Sequence, residues 1–464
     1  MDFHVSLDGR GDRSSRIYRQ LLDAILDGRL RPGERVPPTR ELGERLGVAR
    51  NTVAVAYDRL TAEGFLVGRV GAGTYVYSDG DRPRSRRAPE GADLRPRAVW
   101  ADVPEPPRDP PVALPYDFSA GVPDVGLFPL TTWRGLLRPT SVEADYGDPS
   151  GIPALRAAIA RHIGVSRSVR ADADDVLVTQ GAQQALDLVG RVLVEPGDRV
   201  AVEDPGYPVA RALFRSLGAK VVGVPVDDEG LVVDALPPST RLVYTTPSHQ
   251  FPLGTPMSLR RRTALLDWAR RHGAVVVEDD YDSEFRYSDR PLEPLQSLDR
   301  AGRVVYVGSF SKTLLPTLRL GFLVAPASLR PALRAAKQLT DWHGDPITQA
   351  ALARFIDEGL LARHVRKATR VYAARHERIT AVLRSDFADW LDIVPSAAGL
   401  HLAVRTKGDP DEVVRVARSR GVALRTLGSF ALSVHFGLVI GFGAIPLDRV
   451  DDGLRLLADS FRQS

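Results

Sequence analysis

The sequence predicts a small α+β domain followed by a large α/β domain built on a mostly parallel sheet. Three observations predict this order. Residues 14–77 show helical periodicity that gives way to short β-like pieces. Residues 78–115 carry nine prolines and little apolar periodicity. From Tyr116 onward, apolar β-branched runs alternate with amphipathic helical segments. Domain boundaries are therefore placed at 1–77, 78–115 and 116–464.

A chain of 464 residues, 44% apolar, suits one small and one large domain with substantial cores. No run of about 18 apolar residues exists, so no membrane span is predicted. The first residues, MDFHVSLDGRGDRSSR, lack the apolar stretch of a secretory signal, and a cytoplasmic location is expected. The absence of cysteine removes disulfides, thiol nucleophiles and cysteine-ligated zinc. The nine histidines are scattered, and no metal site is expected. The net charge of +4 is unevenly spread. Residues 10–77 hold twelve arginines against eight acidic residues, and residues 78–100 hold six against four. A basic front on a near-neutral body fits a nucleic-acid-binding module. An ordinary arginine-rich surface has the same composition, so charge alone does not decide.

In the first domain, Ile17, Leu21, Leu22 and Ile25 share one helical face, and the helix stops before Gly28. RPGERVPP is a turn; Thr39 is expected to cap a second helix, RELGERLG, which Gly47 ends. A third helix runs from about Arg50 to Glu63. Two short helices joined by a Gly-containing turn make a helix-turn-helix, and the N-terminal residues of the second reach base edges. FLVGRVGAGTYVY then gives a hairpin wing turning at Gly71 and Gly73. Arg40, Arg50, Asn51 and Thr52 are the contact candidates, with Gly71 in the wing. Arg and Asn offer paired groups suited to guanine or adenine edges, and Thr suits a phosphate. Each alone is ordinarily a solvated helix residue; the pattern gives them weight. The proline-rich stretch 78–115 cannot bury enough apolar surface to offset its ordering entropy and reads as a semi-extended linker.

In the large domain the runs DVLVT, RVAVED, RLVYTTP, AVVVED and RVVYVGSFS are separated by helical patterns such as PALRAAIARHI and LRRRTALLDWARRHG. Near-continuous apolar strands with helices between them indicate a parallel sheet covered on both faces. The chemistry centres on GSFSKTLLPTLRLGF, residues 308–322. Lys312 follows an apolar strand, where poor solvation lowers its pKa and makes it a better amine nucleophile toward an aldehyde. Ser309, Ser311 and Arg319 beside it suit a phosphate. A second anion-binding element is TQGAQQALDLV, where the backbone N–H groups of Gly181, Ala182 and Gln183 open a helix. AVVVEDDYDSEF places Glu278, Asp279 and Asp280 at another strand end, followed by Tyr281. Tyr207, in EDPGYP, could present its ring face to a planar ligand; a core tyrosine is the competing reading.

The string from Ile17 to Val76 strongly resembles the GntR-type winged helix-turn-helix. In that family an Arg often precedes the recognition helix and another lies inside it; this chain has Arg50 and then Ala54. The motifs YGDPSGIPALR, VLVTQGAQQAL, EDPGYP, TPSHQFPLG, EDDYDSEF and SFSKTL, in this order, resemble a fold-type I aminotransferase over about residues 116–460. The combination resembles the MocR/GabR family of regulators. The resemblance implies a winged helix-turn-helix joined to an aminotransferase-like α/β domain with a smaller C-terminal α+β subdomain. It also implies pyridoxal 5′-phosphate on Lys312, Asp279 on the pyridine nitrogen, Tyr281 near the phenolic oxygen and Tyr207 stacked on the ring. Ser309, Ser311 and Arg319 would hold the phosphate, and His249 or Gln250 would lie beside the ring. A homodimer is implied, with Tyr146 the residue expected to reach across, and the partners implied are operator DNA and an amino-compound or vitamin B6 ligand.

Two departures stand out. Pro316 is followed by Thr317 where the family usually has Gly. The C-terminal strand, HFGLVIGFGAI, has no arginine at Val439 or Ile440 to clamp a substrate carboxylate; Arg425 and Arg405 are near in sequence but outside that motif. Turnover needs the substrate fixed in reacting geometry. A regulator with little or no turnover is therefore expected, the alternative being an active aminotransferase with an accessory DNA-binding domain.

Overall fold

The computed structural model describes residues 12–69, 71–78, 93–101, 103, 105, 113–138, 145–287, 293–396 and 398–463. The chain divides into two compact units, Met1–Arg95 and Pro96–Ser464. Most of the expected linker (79–92, 102, 104 and 106–112) lies outside the described residues. Within it, Ala98–Trp100 forms a 3-10 turn in the second unit.

The first unit contains α1 (Arg13–Leu26), α2 (Thr39–Leu46), α3 (Arg50–Ala62) and a hairpin of β1 (Leu66–Arg69) and β2 (Gly73–Val76). Asp12 caps α1, its carboxylate accepting from the N–H groups of Ser14 and Ser15. Ile17, Leu21 and Ile25 of α1 pack with Leu42, Val53, Leu60, Leu66 and Val76 in one core. The expected Thr39 cap is corrected. Pro38 already supplies the extended cap geometry, so Thr39 is the first helical residue and no side chain caps α2. Gly47 ends α2 in the left-handed conformation at φ 61°.

The second unit begins with β3 (Tyr116–Asp117) and carries a central sheet of eight strands. These are β4 (Val176–Thr179), β5 (Arg199–Asp204), β6 (Lys220–Asp227), β7 (Gly230–Leu231), β8 (Thr240–Thr245), β9 (Val275–Asp280), β10 (Val304–Ser309) and β11 (Gly321–Val324), in the order β4-β11-β10-β9-β8-β5-β6-β7. Pairing from β10 through β6 is parallel. Two strands depart from this: β7 is antiparallel to β6, and β11 is antiparallel to both its neighbours. Strand β11 is the return of the loop that leaves β10, so Gly321 lies opposite Ser309 and the Lys312 segment sits at the carboxyl end of the sheet.

Side chains alternating along the strands feed cores on both faces. Helices α6 (Ala182–Leu193) and α7 (Pro208–Ser216) cover Val200, Leu242 and Val305. On the other face, α8 (Leu259–His272) covers Ala201, Val243 and Val276. Near the β4 side, α4 (Leu130–Leu136) and α5 (Pro153–Arg167) pack with Val178 and Phe322. The short α9 (Leu295–Leu298) precedes β10; α10 (Arg330–Asp341), α11 (Pro346–Asp357) and the long α12 (Leu360–Asp386) lead to a smaller sheet. That sheet has β12 (Leu391–Ile393), β13 (His401–Thr406), β15 (Arg425–Thr426) and β16 (Gly437–Gly441) in the antiparallel order β12-β13-β16-β15. α13 (Pro410–Ser419) and α14 (Val450–Phe461) accompany it, and β14 (Val422–Ala423) pairs with β3. No helix of the described residues is long and apolar enough to cross a membrane.

Candidate functional site

In a mostly parallel sheet, ligands bind outside the carboxyl ends of the strands. There the second unit has a cavity of about 510 Å³, within the range of small-molecule sites. Lys312, Asp279, Tyr281, Tyr207, Ser309, Ser311, Arg319, Ala182 and Gln183 all line it.

The β9 end separates the three acidic candidates by strand alternation. Glu278 accepts the N–H groups of Leu295 and Gln296 at 2.9 Å. Asp280 forms a buried ion pair with Arg167 at 2.7 Å and accepts from Tyr306 Oη. Asp279 points the other way, into the cavity. Its Oδ2 accepts from Tyr244 Oη at 2.8 Å, while its buried Oδ1 has no hydrogen-bond partner among the described residues. Burial pushes this carboxyl up to about 7, the Tyr244 hydroxyl opposing the shift only in part.

Lys312 sits in the loop between β10 and β11, and burial lowers its pKa from the usual ammonium range, with Asp282 and Asp279 opposing the shift. Backbone packing shapes this corner. A Cβ on Gly121 would lie 3.2 Å from Lys312 Nζ, and one on Gly321 would lie 2.7 Å from Gly181 Cα. Gly181, at φ 76°, is the cap of α6, and the Arg319 guanidinium crosses it to donate to Gln180 O at 2.6 Å. Unpaired first-turn N–H groups and a guanidinium thus meet at one helix start. Ser309 Oγ donates to Ser311 Oγ at 2.9 Å beside them.

The aromatic wall differs from expectation. Neither His249 nor Gln250 lines the cavity; Phe251 does, edge-on to Tyr207 with ring centroids 5.8 Å apart. Gln250 is turned away, donating to Pro205 O and Phe251 O. His249 lies behind Tyr281, its Nδ1 3.0 Å from both Tyr281 Oη and Asp282 Oδ1. With His401 these form a buried group whose potential ligating atoms lie within 4.8 Å of one another. No sequence spacing announces that group, because its members come from three separate segments. Tyr146 is exposed and stacks on Trp342 at 4.5 Å. Arg425, Phe430 and residues 119–122 also line the cavity, unannounced by any local motif.

In the first unit Arg50 and Asn51 are exposed at the start of α3, and Thr52 is half-buried beside them. Arg40 is exposed on α2 but bonded to Glu44 at 3.2 Å. Gly71, at φ 75°, lies in the exposed turn of the wing; Val70 lies outside the described residues.

A helix-turn-helix with a wing and a cofactor-type cavity on an aminotransferase-like sheet, in one chain, define a ligand-sensing DNA-binding regulator. Comparison with known proteins agrees. The profile of bacterial regulatory proteins of the gntR family matches residues 13–76, and that of aminotransferase class I and II matches residues 118–439. The chain is 40% identical over 460 residues to a probable rhizopine catabolism regulatory protein MocR of Rhizobium meliloti, covering 96% of this chain and 93% of that protein. It is 34% identical to the pyridoxine biosynthesis regulator PdxR of Corynebacterium glutamicum, covering 93% and 92%. A solved kynurenine aminotransferase of Pyrococcus horikoshii is 29% identical, with a TM-score of 0.70 over 75% of this chain and 90% of that one. The chain belongs to the MocR/GabR-type transcription regulators. Its relatives of aminotransferase class I/II fold depend on pyridoxal phosphate.

Proposed function

We propose that this regulator carries pyridoxal 5′-phosphate on Lys312 and reads out an amino compound or a vitamin B6 ligand there as a change in operator binding. The observation that carries this reading is the unpartnered Oδ1 of Asp279 in the same cavity as a desolvated lysine. A carboxylate oxygen buried without a donor is costly; a protonated pyridine nitrogen would supply both the hydrogen bond to Oδ1 and the charge. When bound, the cofactor supplies an aldehyde carbon that amines can add to. Lys312, whose charged form burial disfavours, provides the attaching amine. Asp279 would keep the ring nitrogen protonated. Tyr281, oriented by His249, would face the phenolic oxygen, and Tyr207 with Phe251 would enclose the ring. Arg319, Ser309, Ser311 and the N–H groups of Gly181, Ala182 and Gln183 would take the phosphate.

Arg50, Asn51 and Thr52 would meet DNA from the start of α3, with Arg40 and the Gly71 turn on the flanking backbone. The active form is a homodimer on a two-fold operator, with Tyr146 reaching toward the partner site. Domain limits of 1–77, 78–115 and 116–464 go with this assignment. Little or no turnover is part of the reading, because Val439 leaves β16 without a cation for a substrate carboxylate.

The test is the colour of the purified protein. Visible absorbance is expected in the wild type and absent from Lys312→Ala. A coloured Lys312→Ala protein overturns the assignment, and steady transamination near the enzyme median of about 10 per second would favour the enzyme reading.

A further inference from the structure

The cavity lining contains three cationic side chains, Lys312, Arg319 and Arg425, against one carboxylate, Asp279. The proposed function employs the first two and the carboxylate. Arg425 is left over, and among the described residues its guanidinium has no hydrogen bond or ion pair.

Its place in the small sheet explains what it can do. Strand alternation puts Leu438 and Ile440 of β16 into the core beneath that sheet, with Leu402 and Val404 of β13. Val439 and Ala403 face the other way, into a cluster with Phe430 and, at its edge, Phe251 and Ala120. Phe430, Phe251 and Ala120 all line the cavity. Val439 is thus the β16 position that looks toward the ligand, and Ile440 is not. In register across the edge of the sheet, Val439 pairs with Arg425 of β15. Directly opposed residues share a face, with Cβ atoms about 4.5–5.5 Å apart. An extended arginine side chain is long enough to bridge that spacing, so one at 425 can cover the space in front of residue 439.

We propose that Arg425 is the ligand clamp of this regulator, displaced by one strand from the position where the sequence lacks it, and that the effector is an amine bearing a carboxylate or sulfonate. The inference rests on the reading of Lys312 as the cofactor-bearing residue. The amine would be directed to the Lys312 end and the anion to the planar guanidinium, whose paired N–H groups match a carboxylate or sulfonate edge. Charge balance in the cavity points the same way. With a phosphate on Arg319 and a ring cation on Asp279, only Arg425 remains without a counter-charge.

The experiment titrates the cofactor-loaded full-length dimer with glycine, β-alanine, γ-aminobutyrate and taurine, and with n-propylamine and n-butylamine as tails without charge. Binding is followed by the visible spectrum and by calorimetry. The wild type should prefer its best anionic amine over the matched neutral amine by about 10- to 100-fold, the range a charged hydrogen-bonded pair supports. Arg425→Ala should abolish that preference while neutral amines bind as before, and Arg425→Lys should retain part of it. Arg405→Ala removes an exposed arginine that does not line the cavity and should change nothing. No anionic preference in the wild type, or one that survives Arg425→Ala, overturns the clamp while leaving the cofactor assignment intact. A wild type without visible absorbance fails at the earlier step, and the clamp falls with it.

Discussion

Asp279→Asn separates two effects that the cavity combines. Burial lifts the Asp279 carboxyl from its ordinary 3.8 to about 7 in the cofactor-free protein. A raised carboxyl contributes stability that is fully present below about pH 4 and is lost as pH rises through about 7. The shift is roughly three units, and at about 1.4 kcal/mol per unit the cost above pH 7 is about 4 kcal/mol. Asparagine keeps the shape and the Tyr244 contact without titrating. Cofactor-free Asp279→Asn should therefore match the wild type near pH 4 and exceed it by up to about 4 kcal/mol at pH 8. Glu278 and Glu284 are also lifted to about 7 and act in the same direction, but they cancel in the comparison. Urea unfolding followed by tryptophan fluorescence is the assay, because all five tryptophans lie in the second unit. Cofactor affinity should move the opposite way, weakening by about 30-fold or more, since truncating one partner of a buried charge pair costs at least about 2 kcal/mol. A stability difference that does not change with pH, or unchanged cofactor affinity, would refute the role given to Oδ1.

Other substitutions test other parts. Gly321→Ala puts a Cβ against the Gly181 backbone, and should cost about 1–3 kcal/mol of second-unit stability and weaken cofactor retention, measured by melting and by dialysis. Arg50→Ala should lower operator affinity by about 1–3 kcal/mol if it reads a base edge; Arg40→Ala should lower it less, because Glu44 already partners that guanidinium. Fluorescence anisotropy on labelled operator checks both. Tyr57→Phe removes the hydroxyl that donates to Pro37 O at 2.7 Å, and should destabilise the first unit by about 1 kcal/mol in a urea titration.

The sequence states local facts well. Helical periodicity and glycine stops place the end of α1 and both limits of α2 and α3 within a residue or two, and five apolar runs correspond to β4, β5, β8, β9 and β10. The Lys312 loop was legible because strand, serines, lysine and arginine lie within one segment. What sequence could not settle depends on register or on distant segments. Spacing alone does not choose Asp279 among three adjacent acids, because that depends on which face of β9 looks to the cavity; only the family resemblance names it. Arg425 gains meaning only through its pairing with Val439, fourteen positions away in number but adjacent in the sheet. The His249–Asp282–His401 group and the Phe251 wall arise from loops brought together by the sheet. Thr39 was misplaced because Pro38 set the backbone one residue earlier than the capping rule suggests.

In the proposed function a cofactor on Lys312 governs DNA binding by the first unit. Its most direct test is the affinity of the full-length protein for operator fragments selected from its genome, measured with and without pyridoxal phosphate and amine, in the wild type and in Lys312→Ala. Cofactor and amine should shift the wild-type affinity and leave that of Lys312→Ala unchanged. Equal affinities in all wild-type conditions, or an equal shift in Lys312→Ala, would contradict it.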